Sequence, residues 1–191
     1  MSSSISHKIK HRTKAQAKDV FITPLALAKK QIDLIEAREG EVWYDPFRNS
    51  GSYYNQYPEG CEKRWGEILD GRDFFKPPVW LGAGGGYAGW TEAVLFDIIC
   101  SNPPYSLLEK VIKRSIELQP RVISYLLGIG NLTARRIEIF NTAGYSLRKM
   151  MMCKIKSWYG MSVIVQFEKL DDGVIDNIIG FDRKVYYGLK K

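Results

Sequence analysis

Histidine and cysteine are scarce in this chain of 191 residues, and each shortage removes a class of chemistry. The only two histidines, His7 and His11, lie in a polar N-terminal stretch, which disfavours an imidazole general base or a histidine triad in the body of the chain. Cys61, Cys100 and Cys153 are odd in number and far apart, with no C-x-x-C pair. That pattern supports neither a disulfide framework nor a zinc site, so no metal is expected and the thiols read as buried and inert. No apolar run is long enough to cross a bilayer, and Met1 to Lys18 is basic and polar without an apolar signal core. The expectation is a cytoplasmic or nuclear protein, neither secreted nor in a membrane. Phosphate-cradling loops are missing too: the glycines between Trp80 and Trp90 match neither G-x-G-x-x-G nor G-x-x-x-x-G-K-[ST] between a strand and a helix. Residues 76–90 read instead as a glycine-rich loop or hairpin.

What is present points to a single domain with an anionic partner. Hydrophobic residues make up 45% and charged residues 26% of the composition, enough to bury a core of ordinary size. Lysine and arginine number 28 against 21 acidic residues, a formal net charge of +7. Such an excess favours nucleic acid, through phosphate neutralisation and counterion release. Much of it sits in Lys8, Lys10, Arg12, Lys14 and Lys18, so residues 1–19 are read as a flexible basic tail and residues 20–191 as one domain. No internal repeat is evident.

Periodicity then orders the elements. Thr23 as N-cap and Pro24 at the first helical position open a helix with an apolar stripe of Leu25, Ala28, Ile32 and Ile35, closed by Gly40. A short buried strand runs from Glu41 to Asp45 and stops at Pro46, and Arg64 to Ile68 is a second strand. Val94 to Cys100 is a strongly apolar strand. Ser106 and Glu109 form a capping box for a helix whose apolar face is Leu108, Val111, Ile112 and Ser115, stopped by Pro120. A buried strand from Val122 to Leu127, a short helix from Thr133 to Phe140, and an antiparallel hairpin built from Leu147–Ile155 and Val163–Phe167 complete the chain. Early strand–helix alternation argues for an α/β fold with a mostly parallel sheet, made mixed by the closing hairpin.

In such a sheet ligands sit at the carboxyl ends of the strands, where strand order reverses. Asp45, Glu67, Asp73 and Asn102 all fall at such ends and would line one rim. A carboxylate about 20 residues beyond the first strand suits ribose hydroxyls, and Glu67 lies 22 positions after Asp45. The sharpest signal is Asn102-Pro103-Pro104-Tyr105. Two prolines lack N–H groups and fix φ, so the strand ends abruptly and leaves a rigid set of acceptors together with the Asn102 side-chain carbonyl. Acceptors on both N–H bonds of an aromatic amine hold it while its lone pair localises toward an incoming electrophile, and Tyr105 offers a face on which a base can stack. The plainer alternative is an Asn-Pro turn of the kind that ends strands in any protein. Trp43, Tyr44, Phe74 and Phe75 likewise read first as core aromatics.

Taken in order, Thr23-Pro24, Asp45-Pro-Phe with Gly51-Ser52, Trp65-Gly-Glu67 with Gly71, Asp73-Phe74-Phe75 and the NPPY of Asn102–Tyr105 resemble the S-adenosylmethionine-dependent amino-methyltransferases. The small viral and phage N6-adenine methyltransferases of DNA are the nearest in character. Leu127–Arg136 and Trp158-Tyr159-Gly160 are also similar, so the resemblance covers about residues 20–170. It implies a Rossmann-like class I methyltransferase fold with a seven-stranded sheet, S-adenosyl-L-methionine as cofactor, and methyl transfer to N6 of adenine in nucleic acid, DNA more than RNA. RNA adenine, cytosine N4, protein glutamine and a catalytically inactive nucleic-acid-binding subunit remain alternatives. By the same resemblance Thr23 and Pro24 meet the cofactor's methionine end, Asp45 and Gly51 form its loop, Glu67 takes the ribose hydroxyls, and Asp73 and Phe74 contact its adenine. Asn102, Pro103, Pro104 and Tyr105 would take the target amine. Two departures stand out: the glycine-rich first motif is reduced to Asp45-Pro-Phe-Arg-Asn-Ser-Gly51, and no separate target-recognition domain is present, which leaves room for a partner subunit that supplies specificity.

Overall fold

A computed structural model of the chain describes residues 21–76, 95–156, 158 and 160–170. Residues 1–20 with the basic tail, the glycine-rich stretch of residues 77–94, Ser157, Tyr159 and residues 171–191 lie outside the described residues.

The described residues form one six-stranded sheet in the order β2-β1-β3-β4-β6-β5, with β1 Val42–Asp45, β2 Glu62–Trp65, β3 Ile98–Ser101, β4 Val122–Gly128, β5 Tyr145–Cys153 and β6 Ser162–Lys169. The pairs β1·β2, β1·β3 and β3·β4 are parallel, whereas β6 runs antiparallel to both β4 and β5. The mixed sheet and its closing hairpin are as the sequence predicts; six strands, not seven, are present among the described residues.

The central strands are buried on both faces, and their side chains alternate between two cores. Trp43, Ile98, Cys100 and Val122 face α1 (Leu25–Asp33), where they pack with Ala28, Ile32, Tyr53 and Tyr57. Tyr44, Ile99, Ile123, Tyr125 and Leu127 face the other way, onto α2 (Leu108–Glu117) and α3 (Ala134–Thr142). The buried stripe of α2 is Leu108, Val111, Ile112 and Ser115, the predicted set. Ser115 is tolerated there because its hydroxyl bonds Val111 O at 2.8 Å and the Tyr125 hydroxyl at 2.5 Å.

Several element ends differ from expectation, each for a local reason. Thr23 does not cap α1: Pro24, at φ −56° and ψ 134°, occupies the N-cap position, and its carbonyl accepts from the Leu27 and Ala28 amides. Helix α1 stops at Asp33, and Gly40, at φ 76°, instead makes the turn into β1. Strand β2 begins at Glu62 and ends at Trp65, earlier than the sequence suggests, because Glu67 turns inward to cap a 3₁₀ turn at Ile68–Asp70. The capping box is replaced by a 3₁₀ turn, Tyr105–Leu107, and no side chain caps α2. At the other end of the sheet Tyr145 opens β5 two residues early; its hydroxyl reaches Pro120 O at 2.6 Å. Thr133 does cap α3, through the Arg136 amide.

Gly66 is where β1 and β2 part. Its amide bonds Asp45 O at 2.8 Å and its carbonyl accepts from the Arg48 amide at 3.0 Å. A Cβ there would lie 2.8 Å from the Tyr44 hydroxyl and 2.9 Å from Pro46 O, a backbone atom with little room to retreat. Gly66→Ala should therefore destabilise by about 1–3 kcal/mol. Differential scanning calorimetry should register this as a fall of roughly 2–4 °C per kcal/mol; an unchanged midpoint would show that the two strand ends spread at no cost.

Candidate functional site

Strand order reverses at β1 and β3: the chain passes from β1 outward to β2 and then returns to β3 on the other side. A crevice at the carboxyl ends of these strands follows from that topology. It is a cavity of about 360 Å3, the size of pockets that enclose small organic ligands.

One wall is the loop after β1. The Gly51 amide bonds Arg48 O at 2.7 Å, closing a turn in which Asn49 takes φ 45° and Gly51 φ 85°. Asparagine is among the few residues that enter the left-handed region at small cost, so the turn is made without a glycine at position 49. The Arg48 amide is anchored to Gly66 and the Asn49 amide to Glu67 Oε2 at 3.0 Å. Glu67, only 8% exposed, also accepts from the Leu69 amide through Oε1 at 3.2 Å. A carboxylate has about four lone-pair sites, so Glu67 can serve several donors at once. Trp65 beneath is stacked by two guanidinium groups, Arg48 at 4.5 Å and Arg72 at 3.8 Å.

Asp45 lies under this loop and is fully buried. Its Oδ1 accepts from Ser101 Oγ at 2.6 Å and from the Phe47 amide at 3.3 Å; its Oδ2 is buried without a hydrogen-bond partner. Burial pushes its carboxyl from the ordinary 3.8 to about 7, outweighing the opposing pull of Ser101 and the Phe47 amide, while the Glu67 charge adds to the rise.

The opposite wall follows β3. Pairing of β3 with β4 stops at Ser101, opposite Tyr125, and Asn102-Pro-Pro carries the chain into the Tyr105 turn. Asn102 Nδ2 donates to Phe21 O at 3.4 Å, which leaves Oδ1 buried and without a partner. The Tyr105 hydroxyl donates to Leu126 O at 3.4 Å, and its ring lies near-parallel to Phe21, with centroids 6.2 Å apart and planes inclined by 22°. Trp158 closes on Phe21 from another side at 5.1 Å.

The crevice therefore gathers most of the residues singled out in sequence. Thr23, Glu67, Asp73, Phe74, Asn102 and Pro104 line the cavity. Pro24, Asp45, Gly51, Pro103 and Tyr105 do not; Asp45 and Gly51 shape the loop from beneath, Pro103 is buried, and Tyr105 turns toward Phe21. Phe74 serves both readings, packed with Tyr44 and Phe47 in the core and exposed on its other side to the cavity, and Phe75 stands on the lip at 38% exposure. Sequence reasoning missed Phe21, Ile22, Arg48 and Leu69 on the walls. An apolar pair placed before a Thr-Pro, outside the helical stripe, was the available signal for the first two. Among the described residues no cluster of three histidine, cysteine or acidic side chains is disposed to hold a metal.

The pH behaviour of Asp45 follows from its burial. Between about pH 4 and pH 7 the folded protein keeps a proton that the unfolded chain has released, so its stability falls as pH rises through that window. The loss is at most about 1.4 kcal/mol per pH unit. Asp45→Asn removes the titration while keeping the shape; its stability relative to the native protein should grow from pH 4 to pH 7 and then level. Urea unfolding of both proteins across this range checks it, and a flat difference would mean that Asp45 ionises in the fold as it does in water.

Neither a protein-family model nor a curated sequence matches the chain. Solved structures do. A candidate RNA methyltransferase of Pyrococcus horikoshii is similar over 89% of this chain and 100% of its own, at TM-score 0.59 and 15% identity. Magnesium protoporphyrin IX methyltransferase of Synechocystis PCC 6803, with bound S-adenosylhomocysteine, covers 87% of this chain and 93% of its own, at TM-score 0.53 and 14% identity. N-methyltransferase NodS of Bradyrhizobium japonicum WM9, in complex with the same molecule, covers 87% and 96%, at 0.53 and 11%. At these identities the likeness shows the fold: the mixed sheet with its reversed penultimate strand is that of the Rossmann-like methyltransferases.

Proposed function

We propose that this chain transfers a methyl group from S-adenosyl-L-methionine to the exocyclic N6 amine of adenine in nucleic acid, DNA in preference to RNA. One observation carries the reading: Asn102 Oδ1, immediately after the strand that borders the crevice, is buried and holds an unused acceptor at the cavity wall.

The residues suit the cofactor as well. The cavity volume matches a ligand of that size, and Asp45 presents a buried, unpartnered Oδ2 beneath a loop where a cation would relieve the cost of ionising it. Glu67, on the cavity wall, would take the ribose hydroxyls, Asp73 and Phe74 the adenine, and Thr23 and Pro24 the methionine end. Bound there, S-adenosylmethionine supplies an electrophilic methyl group on a sulfonium. Asn102 accepts an N–H of the target amine and strengthens that bond as positive charge develops on nitrogen, which lowers the barrier more than it aids binding. The amine would take the methyl group that the cofactor supplies, leaving the sulfur as a thioether, and would lose one proton to water. Pro103 and Pro104 hold Asn102 without competing for its acceptor, and Tyr105 presents the stacking face. The net positive charge of the chain supports a nucleic-acid substrate. A second reading, the same chemistry on adenine in RNA, is favoured by the Pyrococcus horikoshii neighbour.

Transfer of tritium from labelled S-adenosylmethionine to single-stranded DNA, duplex DNA, RNA and protein in parallel, with the product identified by mass, tests the proposal. N6-methyladenine in DNA is expected. Label on glutamine, or on cytosine N4, would replace the substrate, and binding of nucleic acid without transfer would make the chain an inactive subunit. Asn102→Ala should lower kcat by about 10²–10³ while cofactor affinity measured by calorimetry stays near the native value. Glu67→Gln should weaken the cofactor by roughly 10- to 150-fold, the worth of a charge-assisted hydrogen bond. Near-normal turnover of Asn102→Ala would remove the Asn-Pro-Pro-Tyr segment from the chemistry.

A further inference from the structure

We infer that Gln31 is a positioning residue for the wall after β3, holding Asn102 in the attitude in which its Oδ1 meets the target amine; this rests on the reading of the crevice as an amine-methylating site. Gln31 lies fully buried on the packed face of α1, where a polar side chain is costly unless each of its groups is bonded. Each is bonded, and every partner belongs to another segment. Nε2 donates to Ser101 O at 3.4 Å, at the end of β3, and to Ser124 Oγ at 3.2 Å, in β4. Oε1 accepts from the Tyr53 hydroxyl at 2.8 Å, in the loop after β1. Tyr53 shares a further hydrogen bond with Thr23, and both line the cavity.

The carbonyl that Gln31 holds belongs to the peptide leading into Asn102. On the other side Pro103 steers the Asn102 backbone away from helical conformations. The Asn102 side chain is held as well, through Nδ2 on Phe21 O at 3.4 Å. Restrained before, after and at its own amide, Asn102 keeps Oδ1 buried and without a partner. An acceptor whose bond must tighten as charge develops on the amine acts through its direction, and a small misplacement costs rate before it costs binding. The cofactor wall hangs on other bonds: Glu67 and Gly66 hold the loop after β1, and Tyr53 keeps Thr23. Removing the Gln31 amide therefore slackens the acceptor and spares the cofactor.

The test is methyl transfer to a single-stranded oligonucleotide containing adenine, with S-adenosylhomocysteine affinity by calorimetry and urea unfolding measured on the same proteins. Gln31→Met fills the space without hydrogen-bonding groups, and Gln31→Asn keeps the amide but draws it back by a methylene. Each should lower kcat by roughly 10- to 100-fold, while the oligonucleotide KM and S-adenosylhomocysteine affinity stay near native. Ser124→Ala removes another bond of the same amide nitrogen; it should lower stability and keep native kcat, so that turnover follows the bond to Ser101 and not the stability of the fold. Gln31→Asn, the milder change, decides the matter if Gln31→Met does not fold. Native kcat in a folded Gln31 variant overturns the positioning role. So does a loss of S-adenosylhomocysteine affinity that matches the loss of turnover, or a fall of kcat in Ser124→Ala as large as in the Gln31 variants. Each of these leaves the amine-methylation reading standing. If the unaltered protein transfers no methyl group to an amine, that reading fails, and the role of Gln31 with it.

Discussion

The crevice depends on one short hydrogen bond, Ser101 Oγ to Asp45 Oδ1 at 2.6 Å, which ties the ends of the two strands that part at the switch point. Without it Asp45 would be a buried carboxylate with only the backbone amides of Phe47 and Tyr54 for company, an arrangement too costly to keep in an apolar sheet. The neighbourhood is built around that cost. Gln31 of α1 donates to Ser101 O at 3.4 Å and to Ser124 Oγ at 3.2 Å, Tyr53 donates to Gln31 Oε1 at 2.8 Å, and Tyr57 donates to Cys100 O at 2.6 Å. Polar side chains thus fill the layer just below the cavity, where an apolar core would leave both strand ends free to shift. The remaining imbalance, an unpartnered Oδ2 and a carboxyl raised to about 7, lies beneath the loop that forms one wall of the proposed cofactor site. Buried groups perturbed in this way are concentrated where function is.

The two walls are held by different means. Glu67 and Gly66 pin the loop after β1 from the side of β2, so a loop with one glycine in its turn is ordered by backbone hydrogen bonds that would otherwise be unmade. The wall after β3 is ordered by what it lacks. Two prolines remove the donors that would have extended the strand, and the segment falls into a 3₁₀ turn, with Asn102 left between the sheet and Phe21. A strongly paired wall and a wall released from pairing face each other across the cavity. The first suits a ligand that must sit still; the second suits a substrate that must enter and leave.

How much of this was legible in the sequence varied with the range of the interaction that decides it. The α2 stripe and the buried β4 rest on local periodicity and were placed nearly to the residue, and the closing hairpin was placed to within two residues. Element ends were less legible, because the partner that fixes each one is distant. Glu67 ends the β2 region by bonding Asn49, 18 positions back, and Tyr145 starts β5 early because its hydroxyl finds Pro120, 25 positions back. The capping box at Ser106 and Glu109 obeyed the local rule and lost to the turn that the prolines impose. Site residues followed the same division. The acidic and NPPY positions could be read from their place at strand ends, but Asp45 underlies the cavity where a lining position was expected. Phe21 offered only a faint local signal, because the rings it touches are distant in sequence, Tyr105 84 positions on and Trp158 further still.

The comparison with structures of similar fold sharpens what belongs to the frame and what to the site. Proteins named for a porphyrin, for an N-methyl transfer and for RNA share this sheet at identities of 11–15%. A fold so widely reused does not choose a substrate; residues placed on it do. On the proposed function, the wall after β1, with its tethered turn and the acid just beyond β2, is the part such a frame can share among substrates, since it makes no reference to what receives the methyl group. The choice of acceptor would then be left to the few groups on the other side: Asn102 with its unpartnered oxygen, the prolines that free it, and the Tyr105 ring. Under the proposed function those features call for an acceptor that is flat and carries N–H donors at its edge; a nucleobase and a glutamine amide both do, and a nucleobase adds a broad face for stacking, which together with the net charge of the chain favours a nucleic-acid substrate.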